Sequence, residues 1–388
     1  MAITDFTTGT ANLNATGTLS DPLINILFSQ KLHVETQSEL FFNQRGLMKK
    51  EDGGEDTFER RADSPIIVKD EFAKERGQRI RLALRKQLTT GLTDAVTADR
   101  DHASTGLPAA TFGTTTMIGA EESMNLYDLE VVVELMKHAV GFATPEIQDL
   151  RTPFKMEQEA ASALRDWLTA QYEESILDAH YDGNAAHVVR AGYAAAVTHP
   201  RQVWGGDATQ QSEIAAADVL NADALRRTYE NLRVNNVNPI KTSDGKEMYV
   251  LLAHVYAISD LMADSDIKST YQNAYTRTAA GADNPLFSRA EIIFEGIAVH
   301  EYNRIRRPVG SANDAPSTMR NIVLGSDAII CGNASEPRLV RRKEDEYEDR
   351  YGVGIKQVFG CARADFSHIN NNTTLNQSSA ELMTWSVA

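Results

Sequence analysis

One uninterrupted helix signal, Pro153 to Tyr181, constrains the fold of this chain more than any other feature. Thr152 offers an N-cap oxygen, and Pro153 occupies the first-turn position, where its missing N–H has no partner to lose. Met156, Ala160, Ala163, Leu164, Trp167, Leu168, Tyr172, Ile176 and Leu177 recur at helical spacing and make one apolar stripe. Asp182-Gly183-Asn184 stops the helix with residues suited to a left-handed cap. At about 1.5 Å per residue the rod is roughly 40 Å long, so it crosses a whole domain.

Upstream, Gly77 to Leu88 reads as a basic ribbon. Ile80, Leu82 and Leu84 alternate with Arg79, Arg81 and Arg85; Arg76 and Lys86 flank them, and no acid occurs from Arg76 to Thr93. A period of two with one charged face describes a strand half-buried against something. No catalytic-looking cluster lies near it, so that something is expected to be another copy of the chain. Thr89 to Thr116 is polar, with Gly91, Gly106, Pro108 and Gly113. So long a stretch without structure suits the tip of a projecting hairpin better than a compact domain. Leu126 to Val140 stays open between strand, which its valines favour, and helix, which its length allows.

The remaining chain alternates short elements. Residues 1 to 20 are rich in Thr, Ala, Gly and Asn and predict an unstructured arm; Pro22 to Phe42 is amphipathic, with Leu23, Ile26, Leu27 and Leu32 at helical spacing. Asn221 is placed to cap a helix carrying Leu225, Tyr229 and Leu232. Asp244-Gly245 turns into a buried strand, Met248 to His254, followed by a short helix through Leu261. A further helix is expected over Ser269 to Ala280, a hairpin over Glu291 to Arg304 turning at Glu295-Gly296, and an apolar segment over Ile322 to Cys331. A strand from Gly354 to Phe366 precedes a polar tail, and there is no internal repeat. The mixture predicts an α+β chain, with a middle unit over 190–335 and flanking parts that return to one another.

Composition narrows the function classes. The chain has 388 residues and a net charge of −15, from 54 acids against 39 bases. Strong phosphate binding needs clustered Lys and Arg, so a dedicated nucleic-acid binder is not expected. No apolar run approaches the ~20 residues that span a bilayer, and residues 1 to 20 lack the basic start and apolar core of a secretory signal. Cys331 and Cys361, the only cysteines, sit in apolar contexts and read as buried reduced thiols.

Catalytic signals are weak. Asp178, His180 and Asp182 carry metal-ligand side chains, yet positions i and i+2 of a helix point to different faces, so a helix terminus is the simpler reading. His254, at a strand end without a nucleophile motif, reads as a hydrogen-bonded structural residue. Gly352-x-Gly354 lacks a third glycine and precedes a strand, while Glu121-Glu122 and Glu173-Glu174 read as exposed charges. Arg341-Arg342-Lys343-Glu344-Asp345-Glu346 switches sign abruptly, as a solvated face or an intersubunit charge pairing would.

The order of these pieces resembles the phage major capsid protein family of N-four-like podoviruses. The residues that carry the resemblance are GQRIRLALRKQLTTG from Gly77; LMKHAV from Leu135; and Thr152-Pro153 with Ala163-Leu164-Arg165-Asp166-Trp167-Leu168. DGKEMYVLLAHVYAISDL from Asp244, the Asn284 to Ile305 hairpin and GVGIKQVFGCARADF from Gly352 complete the set. The resemblance implies the Hong Kong 97-like phage capsid fold: an N-terminal arm (1–64), an extended loop hairpin (65–125), a peripheral domain with a spine helix (126–189 and 336–388) and an axial domain (190–335). It further implies an icosahedral head around double-stranded DNA, assembled in the host bacterial cytoplasm, without catalysis, cofactor, metal or membrane. Expected partners are the protein itself in pentamers and hexamers, with portal and scaffolding or cement proteins. Intersubunit contacts are expected at Arg76, Arg79, Arg81, Arg85, Lys86, Arg341, Arg342, Glu344 and Asp345. The nearest alternative keeps the fold as an encapsulin-type nanocompartment; a soluble metal-dependent enzyme using Asp178, His180 and Asp182 is the alternative from another class.

Overall fold

The computed structural model describes residues 35–36, 38–50, 64–70, 79–85, 126–143, 156–182, 184–185, 201–234, 237–241, 245–269, 291–306, 318–341, 350–364 and 378–386. The long helix, α1, spans Met156–Asp182. Leu164, Leu168, Tyr172, Ile176 and Leu177 are buried along its stripe, whereas Ala163 is exposed. Toward the C-terminus burial wraps round the rod to take in Glu173, Ser175, Ala179, His180 and Tyr181. The helix is a surface element in its first half and an internal one in its second.

The first sheet holds β1 (Met48–Lys50), β2 (Ile66–Asp70), β13 (Ile329–Asn333), β14 (Arg338–Arg341) and β15 (Arg350–Arg363). On the other side of β15 lie β5 (Glu134–Ala143) and β6 (Asn184–Ala185). Val353, Ile355, Phe359 and Cys361 form the buried row of β15 packed in the core with α1. Gln357 falls in the same row. Its Nε2 donates to the Tyr172 hydroxyl, which donates to Asn333 Oδ1 at 3.0 Å, so the helix it faces gives the amide nitrogen of this one polar member a partner.

The second sheet runs β10 (Glu291–Phe294), β11 (Ile297–Glu301), β9 (Glu247–Ala253), β12 (Thr318–Leu324), β16 (Ser379–Trp385) and β7 (Gln202–Trp204), with β8 (Ile240–Lys241) added to β9. Its central strands β11, β9, β12 and β16 are buried on both faces, which explains the unbroken apolar run Tyr249–Ala253. Val250, Leu252, Ile322 and Leu324 share the core of α1. Tyr249, Leu251, Ala253 and Val323 pack instead in a second core with α2 (Ala222–Val234) and α3 (Val255–Ala263). Asn221 caps α2 as expected, accepting from the Ala224 N–H at 2.8 Å. The β10–β11 turn places Glu295 at φ 44° and Gly296 at φ 85°, the pair of left-handed residues that a two-residue hairpin needs.

Leu126 to Val140 takes the strand alternative, as β4 (Leu126–Val132) and β5 on either side of Val133. Several boundaries differ from expectation. The apolar segment Ile322 to Cys331 is two strands in two sheets, because Gly325-Ser326-Asp327 carries the chain from β12 across to β13. A Cβ on Gly325 would sit 2.7 Å from Asn238 O and 2.9 Å from Ser378 O, so only glycine fits the crossing. The supposed polar tail ends in β16, buried between β12 and β7, and β13 belongs to the first sheet rather than to a 190–335 unit. Nor is residue 64 the end of a detached arm: Leu40, Phe42 and Leu47 lie in the core of α1, and β1 joins the first sheet. The helix expected over Ser269 to Ala280 is helical over 265–269 and otherwise lies outside the described residues, as does Thr89 to Thr116.

Gly325→Ala is therefore expected to lower unfolding stability by about 1–3 kcal/mol. Gly141→Ala, where an added Cβ meets nothing within 4 Å, should leave it unchanged. Thermal unfolding of the two purified variants checks the contrast.

Candidate assembly surfaces

The basic ribbon forms as β3 (Arg79–Arg85), paired antiparallel with β4 in a two-stranded sheet of its own. Its local sequence contains no acid, but the register supplies them: Arg81 lies opposite Glu130 and Ala83 opposite Asp128. Directly opposed residues share a face, so the positions of Arg79, Arg81 and Arg85 alternate along one face with those of two carboxylates. The ribbon is rooted in the body. Val131 and Val133 are buried with Ile330, Ala362 and Ala364 on the face of the first sheet that α1 does not cover. The fit is close, because a Cβ on Gly360 would lie 2.0 Å from Val132 O. Glycine at that position lets the ribbon's root lie flat on β15.

Of the residues expected at subunit contacts, Arg79, Arg81 and Arg85 lie together on β3, and Arg341 ends β14 opposite Val353. Arg76, Lys86, Arg342, Glu344 and Asp345 fall outside the described residues.

A polar junction that the sequence reading missed joins α1 to the second sheet. Glu173, expected to be exposed, is buried. It accepts from the Phe41 N–H at 3.0 Å and the Tyr302 hydroxyl at 3.3 Å, and it pairs with Arg304 at 3.0 Å. Arg306 bonds Glu174 at 3.0 Å and also Asp178. Buried Arg320 on β12 pairs with buried Glu381 on β16 through two hydrogen bonds, one of them 3.1 Å. The Tyr181 ring connects these pairs, with the Arg320 guanidinium 4.4 Å and the Arg306 guanidinium 5.3 Å from its centroid. Its hydroxyl donates to Arg320 O at 2.8 Å. Acids at 173, 174 and 178 within the half of the helix where the apolar stripe is densest, followed by arginines at 304 and 306, were the available signal.

This junction also commits the metal-ligand candidates. Asp178 is in the ion pair with Arg306, and His180 is buried edge-on to Tyr181 with its carbonyl accepting from Arg363 at 2.7 Å. Among the described residues no group of three His, Cys, Asp or Glu converges. His254 Nδ1 accepts from the Tyr256 N–H at 3.4 Å and caps α3. Among those residues, too, no helix is long and apolar enough to cross a membrane.

The family described as "Phage capsid protein" matches residues 25–384, nearly the whole chain. The chain belongs to the phage capsid protein family. The major capsid protein of Pseudomonas phage KPP25 is 23% identical over 279 residues, covering 65% of this chain and 73% of that one. The capsid of Ralstonia phage GP4 superposes with a TM-score of 0.66 at 16% identity, over 90% of this chain and 92% of its own. The capsid of cyanophage Pam1 gives 0.62 at 18% identity, over 87% and 96%. The fold of this capsid protein is thus the α+β, Hong Kong 97-like phage capsid fold, with α1 as its long helix.

Two outcomes follow from the junction. Removing Arg320 leaves the Glu381 carboxylate buried without its partner, so Arg320→Met is expected to cost about 3–5 kcal/mol; the double variant with Glu381→Met should recover much of that loss in denaturant unfolding. Burial also pushes the Tyr181 and Tyr302 hydroxyls far above their usual range, and Tyr249 up to about 12. The unfolded chain ionises these tyrosines near pH 10 while the native state keeps them protonated. Stability should accordingly be intact below about pH 10 and fall above it, by up to about 1.4 kcal/mol per pH unit for each such tyrosine. Tyr302→Phe should remove one share of that slope in alkaline unfolding curves.

Proposed function

We propose that copies of this capsid protein close into an icosahedral head around double-stranded DNA, and that the β3–β4 ribbon is the arm by which each copy holds its neighbour. The observation that carries the second part is the ribbon's construction. It is hydrogen-bonded to neither large sheet, yet buried apolar residues and a glycine reserved for its passage fix its root. An isolated two-stranded ribbon is marginal in water, so its distal part gains most from a surface on another subunit. Arg79, Arg81 and Arg85, with Arg76 and Lys86, are the contacts assigned to that surface. The Arg341, Arg342, Glu344 and Asp345 segment is assigned to a second one.

In this reading the first sheet and α1 form the peripheral domain, and the second sheet forms the axial domain that meets its copies at five-fold and six-fold positions. The subunit acts structurally, without catalysis. It assembles in the host bacterial cytoplasm into the virion, alongside portal and scaffolding or cement proteins. Net charge of −15 supports enclosure without adhesion, because packaged DNA must move past the inner wall.

Negative-stain microscopy of particles from infected cells, with the ratio of nucleic-acid to protein absorbance, tests the enclosure: DNA-filled closed heads are expected. Closed shells filled with protein and free of DNA would support the encapsulin-type alternative instead. Replacing Arg79, Arg81 and Arg85 together with Glu should abolish megadalton particles in sedimentation while circular dichroism still reports a folded subunit. Normal particles from that variant would remove the ribbon's basic positions from the interface.

A further inference from the structure

The two cysteines of the chain lie 30 positions apart in sequence and directly opposite each other in the β13–β15 ladder. Opposed residues of an antiparallel pair have Cα atoms about 4.5–5.5 Å apart, inside the roughly 4.4–6.8 Å window of a disulfide. Here the Cys331 and Cys361 Sγ atoms are 2.7 Å apart. Both thiols are buried in the core that α1 shares with the first sheet, and β6 flanks Cys361 on its other side. Neither belongs to the polar junction or to the root of the ribbon.

We propose that Cys331 and Cys361 are a modification site: a low-molecular-weight disulfide converts them into an intrachain cross-strand disulfide that staples β13 to β15. One cysteine, as thiolate, attacks the small disulfide, forming a mixed disulfide and expelling one small thiolate. The second then attacks the sulfur of the first and expels the other. Two protein thiols are oxidised, one small disulfide is reduced to two small thiols, and the cysteine protons end on them. Burial raises the Cys361 thiol well above its usual pKa, so exchange runs through transient opening of the strands or during folding. The reducing host cytoplasm keeps the pair open, and the oxidising exterior favours closure after release. The staple ties the strand arriving from the second sheet to the centre of the first.

The test uses the full-length chain, prepared reduced, then treated with excess oxidised glutathione both as native protein and during refolding. Intact mass, peptide mapping and thermal unfolding are the readouts. Expected are the loss of two hydrogens per chain, a peptide joining Cys331 to Cys361, and an unfolding midpoint raised by several degrees, as closing a ~30-residue loop predicts. Closure in either sample supports the proposal. Cys331→Ala, or Cys361→Ala if the first does not fold, should show neither the bond nor the rise. Persistent glutathione adducts, disulfides between chains, two free thiols in both samples, or a bond that lowers the midpoint would each overturn it.

Discussion

Burial of the second half of α1 between two sheets is the constraint on which the rest of this subunit depends. That half carries Glu173, Glu174 and Asp178 beside the side chains it must bury, and a buried carboxylate without a partner costs several kcal/mol. The solution is arginine from the other side: Arg304 and Arg306 follow the β10–β11 hairpin, and Arg320 projects from β12 against Glu381. Tyr181 lies against two of these guanidiniums, so helix and second sheet are joined by polar contacts that run from the buried Arg320–Glu381 pair out to the half-exposed Arg304. Apolar packing alone would hold the two sheets near the helix; the charge pairs also fix their register along it.

The first sheet solves a different problem. It must cover α1 with one face and give the ribbon a foundation with the other. β15 does both by alternation, its odd-numbered row packing in the core with α1 and its even-numbered row, with Gly360 and Ala362, receiving the ribbon's root. The absence of a side chain at Gly360 sets how closely β4 lies on the sheet, and so the direction in which the ribbon leaves the body. In the proposed assembly, the element offered to a neighbour is thereby aimed by a residue in its own subunit's sheet.

Much of this was legible in the sequence because the relevant signals are local. The apolar stripe of α1, the Asn221 cap, the Glu295-Gly296 turn and the period-two ribbon each rest on residues within a few positions of one another. What was missed depends on partners far away. Glu381 sits mid-strand in β16 and breaks its apolar pattern, and only Arg320 makes that position sensible. Ile322 to Cys331 reads as one apolar run until Gly325 is seen against two backbone carbonyls. That the positions of Asp128 and Glu130 stand opposite the ribbon's basic row was not legible, because they come from a strand more than a loop's length away. Glu173 read as a surface charge because its donors come from residues 41, 302 and 304.

In the proposed assembly this subunit closes a shell by resting its ribbon on a neighbour. Cryo-electron microscopy of assembled particles tests it most directly. Closed icosahedral shells are expected, in which β3 and β4 leave their own subunit at Gly360 and lie against an adjacent copy. Particles in which the ribbon folds back onto its own subunit, or a protein that stays monomeric under all conditions, would contradict it.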